Sequence, residues 1–164
     1  MTKPIFVELG EMRVSGISIR TTNEQQSEGD NTIGELWKRY DTEGIQEQTP
    51  HQLDSNVVFG VYTDYESDET GAYRLLIGAP VTMENEMPKE LESLVIPAST
   101  YAVFTSRRGP LVEVVVELWQ QVWEWSRQPG NKRTFRADFE RYDRVNCADP
   151  SHAQVQLFIA CEPE

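Results

Sequence analysis

The stretch FRADFERYD, at residues 135–143 near the C-terminus, alternates like a strand with one buried face. Side chains on a strand point alternately to the two faces of a sheet, so this alternation predicts that Phe139 lies on one face. Asp138, Glu140 and Tyr142 then lie on the other face. A carboxylate between aromatic residues marks either a wet sheet edge or a buried negative charge that is kept for a positive partner.

Two short sequence motifs occur twice, once in each half of the chain. FERY matches an earlier FGVY, which aligns Glu140 with Gly60. VELWQQV matches an earlier GELWKRY, which aligns Trp119 with Trp37. The two motifs are almost equally spaced in both halves, so they indicate an internal duplication.

The duplication predicts one domain over residues 1–164, with one unit at about 1–85 and a second at about 86–164. Each unit contains an extended run, an amphipathic helix and two further strands, and a polar loop at 23–31 precedes the first helix. A unit of this size is too small to be stable alone. We therefore expect an α+β fold of two tandem β-α-β-β units, with antiparallel sheets, two main helices, a pseudo-twofold axis and a central ligand groove. Gly16, in the first extended run, predicts a bulge or a close approach of strands.

Composition restricts the class of partner. Lys and Arg total 15 against 27 Asp and Glu, which gives a net charge of −12. Such a surface repels phosphate backbones and anionic lipid, so we expect no direct nucleic-acid binding and no membrane association.

No apolar run is long enough to span a bilayer and no secretory h-region is present, so we expect a cytoplasmic protein. The two cysteines and two histidines form no ligand cluster, and no metal or other cofactor is predicted.

Five parts of the chain carry a family resemblance. They are ELGEMRVSGISIRT (8–21), VVFGVYTDYE with GAYRLLIGAPV (57–66 and 71–81), VIPASTYAVFTSRRGPL (95–111), LWQQVWEW (118–125) and FERYD (139–143). In this order they resemble the GyrI-like family, the bacterial transcription-activator effector-binding domains. Regulatory members carry a helix-turn-helix region beside this domain. We expect no such region in this chain, which therefore resembles the stand-alone members; these include integron-cassette proteins and relatives of gyrase-inhibitory proteins.

The resemblance implies a pocket for amphipathic, often cationic, drug-like molecules. The family's glutamate in the strand after the second helix maps onto Glu140, and aromatic residues line the pocket. Residues two apart on a helix lie about 200° apart, so Trp123 and Trp125 cannot face the same side. Trp37 and Trp119 lie on the apolar faces of their helices. For each of them, a place in the core and a place in the ligand groove both stay open. The predicted ligand-binding set is Glu140, Trp37, Tyr62, Trp119, Trp123 and Tyr142.

Several alternatives stay open at this point. Glu140 pairs either with a bound cation or with a nearby arginine, and Gly60 either opens space for a ligand or relieves strand twist. The favoured function is a non-enzymatic protein that binds a hydrophobic cation, with no catalytic residue. Alternatives are a hydrolase of reactive electrophiles that uses Glu140 to activate water, and a gyrase-type inhibitor that binds a protein partner through acidic surface. For the segment HAQVQLFIAC (152–161), an edge strand that forms the seam of a homodimer also stays open.

Overall fold

The computed structural model describes residues 3–27, 32–67 and 70–162. Its strands are β1 (Ile5–Leu9), β2 (Met12–Thr21), β3 (Val57–Thr63), β4 (Tyr73–Val81), β5 (Glu92–Ile96), β6 (Ser99–Thr105), β7 (Ala137–Asp143) and β8 (Gln156–Cys161). Its helices are α1 (Asn23–Ser27), α2 (Thr32–Thr42), α3 (Ile45–Gln48) and α4 (Leu111–Ser126). The predicted α+β class is confirmed. None of the helices in the described ranges is long and apolar enough to cross a membrane.

The strands form one antiparallel sheet in the order β1-β6-β8-β7-β3-β4-β2-β5. This order is symmetric about the central β3–β7 pair, as the predicted pseudo-twofold axis requires. Each of the two predicted extended runs comprises two strands. The first strand of each run pairs with a strand of the other run: β1 pairs with β6, and β5 pairs with β2. The division of the domain at about residue 85 stays a prediction.

The last strand corrects an expectation. β8 pairs with β6 on one side and with β7 on the other, so it is an interior strand. Its backbone hydrogen bonds are used within the sheet. The expectation of an edge strand here, and of a dimer seam along it, is therefore wrong. The outer strands are β1 and β5.

The two faces of the sheet are covered differently. On one face α2 packs through Leu36 and Tyr40, and α4 packs through a separate stripe of buried residues, Val114, Leu118, Val122 and Trp125. On the other face, the rings of Phe59, Phe139 and Phe158 stack with centroids 4.6 and 4.5 Å apart. Phe139 and the carboxylate next to it in the chain thus lie on opposite faces, as the alternation predicts.

The local structure before α2 differs from the expected polar loop. The polar segment 23–31 is not all loop, because α1 occupies Asn23–Ser27; residues 28–31 lie outside the described part of the chain. The close approach predicted at Gly16 is confirmed. Gly16 pairs with Gly78 across β2 and β4, and a Cβ atom on Gly16 would lie 1.8 Å from the carbonyl oxygen of Ile77.

Candidate functional site

Glu140 lies on β7, on the helix-covered face of the sheet, and only 3% of its surface is exposed. Oε1 accepts a hydrogen bond from the Tyr142 hydroxyl at 2.7 Å. Oε2 accepts from the Trp119 indole nitrogen at 2.8 Å and from the Tyr62 hydroxyl at 3.0 Å. All three donors are neutral, and none of the ion pairs among the described residues includes Glu140. The predicted arginine partner is thus not found in these ranges.

Gly60 makes this position of the carboxylate possible. Gly60 pairs directly with Glu140 across the β3–β7 ladder, so the two positions aligned by the sequence repeat are neighbours. A Cβ atom at Gly60 would lie 2.9 Å from Oε1 of Glu140 and 3.8 Å from the Trp37 ring. The space that the glycine leaves is occupied by the carboxylate, rather than being open to a ligand.

Burial controls the ionisation of this cluster. Desolvation raises the pKa of Glu140, and the hydrogen bonds from Trp119, Tyr142 and Tyr62 lower it in part. Burial, followed by the charge of Glu140, raises the pKa of both tyrosine hydroxyls well above its ordinary value. The phenols therefore keep their protons and remain donors to the carboxylate.

A cavity of about 250 Å³ lies beside this cluster. Its walls come from both helical regions and from the sheet between them. The lining residues are Asn23, Ile33, Tyr62, Tyr65, Tyr73, Val115, Val116, Trp119, Trp123 and Arg133. Tyr62 and Trp119 both line the cavity and donate to Glu140, whereas Glu140 is not a lining residue. The carboxylate thus lies behind two aromatic rings.

The structure brings the six predicted site residues into one aromatic cluster. Ring centroids are 5.0 Å apart between Tyr62 and Trp119, and 6.4 Å apart between Trp119 and Trp123. Trp37 and Tyr142 form an edge-on pair at 5.1 Å, and neither lines the cavity. Three of the predicted aromatic residues are therefore wall residues; of the other two, Tyr142 donates to the acid and Trp37 packs on Tyr142. Their role in binding stays a prediction.

Trp123 and Trp125 diverge as the helical spacing predicts. Trp123 lines the cavity, whereas Trp125 is buried in the core of the second half. The Trp125 ring lies edge-on to Phe104 with centroids 5.7 Å apart, and its centroid is 6.3 Å from that of Phe6.

A second buried charge was not predicted from the sequence. Nη2 of Arg133 lies 2.8 Å from Oδ2 of Asp138, and the two side chains are 2% and 0% exposed. Oδ2 also accepts from the Tyr65 hydroxyl, and Oδ1 accepts from the backbone amide of Ala160 at 2.8 Å. Strand alternation places Asp138 on the face of Glu140, but Arg133 lies in a loop, where no periodicity indicates its direction.

Aromatic rings hold the Arg133 guanidinium at the cavity wall. Its central carbon lies 4.3 Å from the Phe135 ring centroid and 5.9 Å from that of Trp119. Phe135 has a φ of 55°, in the left-handed region that a bulky residue rarely adopts. The cavity wall thus already contains one cation, neutralised by Asp138 behind it.

No group of three or more His, Cys, Asp or Glu side chains that could hold a metal ion occurs within the described ranges.

Comparison with known proteins gives consistent matches over the whole fold. Residues 6–161 match the family described as integron-associated effector binding protein. Over 148 residues the chain is 34% identical to YobU of Bacillus subtilis (strain 168), whose name assigns it provisionally to the transcriptional regulators; the match covers 90% of this chain and 91% of that protein.

Two solved structures share the architecture. An integron cassette protein from the mobile metagenome of Vibrio cholerae superimposes with a TM-score of 0.77 at 27% identity, covering 98% of this chain and 96% of that one. The structure of SAV2435 bound to tetraphenylphosphonium gives a TM-score of 0.78 at 16% identity, covering 98% of this chain and 94% of that one. At 16% identity the likeness concerns the fold.

Proposed function

Because the chain belongs to the family of integron-associated effector-binding proteins, we propose that it binds amphipathic cationic small molecules in the cavity beside Glu140. Glu140 is the counter-ion, and the rings of Tyr62, Trp119 and Trp123 are the contact surface. The observation that carries this proposal is a buried carboxylate whose described hydrogen-bond partners are all neutral, placed directly behind an aromatic cavity wall.

The balance of buried charges favours a cation over an anion or a neutral molecule. Asp138 neutralises Arg133, so the negative charge of Glu140 stays uncompensated within the site. At an effective dielectric constant of about 20, opposite unit charges about 6 Å apart attract by about 3 kcal/mol. A cation in the cavity therefore gains substantial attraction without touching the carboxylate.

The rings between the acid and the cavity add to this attraction. Tyr62 and Trp119 donate their polar hydrogens to an anion, which shifts electron density into rings that line the cavity. A cation over an aromatic face gains about 0.5–1 kcal/mol at exposed sites and about 2 kcal/mol when desolvated. The predicted ligand is thus a lipophilic cation with a ring or alkyl body that fills the apolar remainder of the cavity.

A structural neighbour supports the ligand class. SAV2435 shares the fold and was solved with tetraphenylphosphonium, a permanent cation surrounded by rings. A protein of this chemistry would sequester a toxic cation or report it to a regulator, in line with the regulator name of the Bacillus relative.

The decisive experiment separates charge from shape. Benzyltrimethylammonium and neopentylbenzene have nearly the same shape and differ by a quaternary nitrogen in place of a carbon. We expect the cation to bind more tightly, measured by tryptophan quenching, and Glu140→Gln to weaken the cation at least about tenfold, which corresponds to about 1.4 kcal/mol. Affinity for neopentylbenzene should change little.

A matched control removes the same charge elsewhere. Glu124 is an exposed acid on α4, so Glu124→Gln changes the net charge equally and should leave cation affinity within about twofold of the parent, because exposed charges are screened. An equal loss for cation and neutral isostere in the Glu140 variant would contradict the counter-ion role.

The hydrolase alternative places a different demand on the geometry. A general base must lie within hydrogen-bond distance, about 3.2 Å, of the water that attacks the substrate, or must reach it through one bridging water. Because Glu140 lies behind Tyr62 and Trp119, the geometry favours binding over turnover. Product formation beyond one equivalent with a reactive electrophile such as an epoxide, lost in Glu140→Gln, would reverse this preference.

A further inference from the structure

Trp123, which lines the cavity next to Trp119, carries a second polar group. The Nε1 atom of Trp123 is buried, and no hydrogen-bond acceptor for it is found in the described part of the chain. An indole nitrogen is a donor only. A buried donor without an acceptor is unfavourable, and no described contact offsets this cost.

The neighbouring wall has the same polarity. The Arg133 guanidinium lines the cavity, whereas its partner Asp138 is fully buried and is not a lining residue. The cavity therefore meets the positive end of a buried ion pair. Because the pair as a whole is neutral, this part of the wall suits a neutral acceptor better than a full anion.

Trp119 connects the two polar features. Its N–H donates to Glu140, and its ring lies 5.9 Å from the central carbon of Arg133. The Glu140 carboxylate and the Arg133 guanidinium thus both lie next to the Trp119 indole. A molecule with one ring and a substituent at each end could therefore interact with both parts of the wall.

We propose that the ligands of this cavity are bipolar: the cationic centre lies at the Tyr62–Trp119 wall, and a neutral hydrogen-bond acceptor, such as a carbonyl oxygen, accepts from the Trp123 N–H. Binding of the acceptor requires that the ring of Trp123, which lines the cavity, turns its N–H toward the ligand. This inference rests on the proposed function and adds the second recognition element to it.

A matched pair of probes tests the acceptor directly. (4-Acetylbenzyl)trimethylammonium and (4-isopropylbenzyl)trimethylammonium carry the same cation and nearly the same shape, and only the first has a carbonyl oxygen. The parent protein should bind the acetyl probe at least about fivefold more tightly, as one net hydrogen bond predicts. Trp123→Phe should abolish this preference: it removes part of the contact surface for both probes but the N–H donor for the acetyl probe alone, so the two affinities become equal.

Trp125→Phe is the control on the same helix. It also removes one indole N–H, but Trp125 lies in the core and not in the cavity wall, so the preference should persist. The Trp123→Phe variant lacks an N–H donor that makes no hydrogen bond in the described fold. The urea midpoint of this variant should therefore stay close to that of the parent.

A spectroscopic measurement makes the test independent of variants. The indole ¹H–¹⁵N resonance of Trp123 should shift downfield with the acetyl probe and much less with the isopropyl probe. Equal affinity of the parent for both probes, or an acetyl preference that survives Trp123→Phe, would overturn the inference.

The two proposals fail separately. If both probes bind equally, but more tightly than the neutral carbon isostere and with dependence on Glu140, the acceptor site is wrong and the counter-ion stands. If neither these probes nor tetraphenylphosphonium binds, both proposals are wrong.

Discussion

Gly60 and Glu140 face each other across the central strand pair, and a Cβ atom on Gly60 would approach Oε1 of Glu140 to 2.9 Å. The two positions are related by the repeat in the sequence, yet one lacks a side chain and the other carries a buried acid. At the symmetry axis of the sheet there is room for one carboxylate, and the glycine provides that room.

Gly60→Ala should therefore displace the Glu140 carboxylate from its donors. We expect a loss of about 1–3 kcal/mol in the free energy of unfolding, as for overpacking in a core, together with weaker binding of benzyltrimethylammonium. Urea unfolding and tryptophan quenching measure the two effects. Gly10→Ala is the control, because nothing lies within 4 Å of a Cβ atom there; equal behaviour of the two variants would contradict the steric argument.

Glu140→Gln should make stability less sensitive to pH. Burial raises the pKa of Glu140 above its usual 4.5, so between 4.5 and the raised value the folded state holds a proton that the unfolded chain has released. The stability contribution of this group is fully present below pH 4.5 and is lost as the pH rises through the folded pKa. Each unit of elevation corresponds to about 1.4 kcal/mol.

The measurement compares urea unfolding of the parent and Glu140→Gln from pH 4.5 to pH 8. The stability of the variant relative to the parent should increase over this range and then level off above the folded pKa. Acids whose pKa is lowered in the fold, such as Asp143 and Glu92, act in the opposite direction but are present in both proteins and cancel. A difference that stays constant with pH would show that Glu140 titrates normally.

Tyr142→Phe should destabilise the ionised form of Glu140. The hydroxyl donates to Oε1 at 2.7 Å, and a hydrogen bond to a charged group contributes about 1.5–3 kcal/mol. The loss at pH 7 should be larger in the parent than in Glu140→Gln, and a double-mutant cycle measures this coupling.

Tyr40→Phe serves as the control for that cycle. Tyr40 is also buried, but its hydroxyl donates to Gln46 and not to Glu140. Its cost should be the same in both backgrounds. Equal costs for Tyr142→Phe in the two backgrounds would mean that its hydroxyl does not stabilise the carboxylate.

Gly16→Ala should be among the most damaging single changes in the chain. A Cβ atom there would lie 1.8 Å from the carbonyl oxygen of Ile77, which belongs to the backbone of the paired strand and cannot rotate away. We expect a loss above about 3 kcal/mol in the free energy of unfolding, measured by urea or thermal denaturation, or failure to accumulate as folded protein. Stability close to that of Gly10→Ala would contradict the close packing of β2 on β4.

Those features of this protein that depend on local backbone geometry are predictable from the amino-acid sequence. Strand alternation alone separates Phe139 from Glu140, and the angle between helical neighbours alone separates Trp123 from Trp125. The two repeated motifs predicted the symmetric α+β fold, and the motif order predicted the family that residues 6–161 match. These predictions succeed because the periods of a strand and a helix are the same in every protein.

How these elements pack against one another depends on long-range contacts. The crossover of β1 and β5, the interior position of β8, the room that Gly60 leaves for Glu140 and the pairing of Arg133 with Asp138 all join residues that are distant in the chain or lie in loops. A carboxylate looks the same in sequence whether it faces water or lies behind two rings. Its burial, and hence its pKa, depends on long-range contacts that no local pattern encodes.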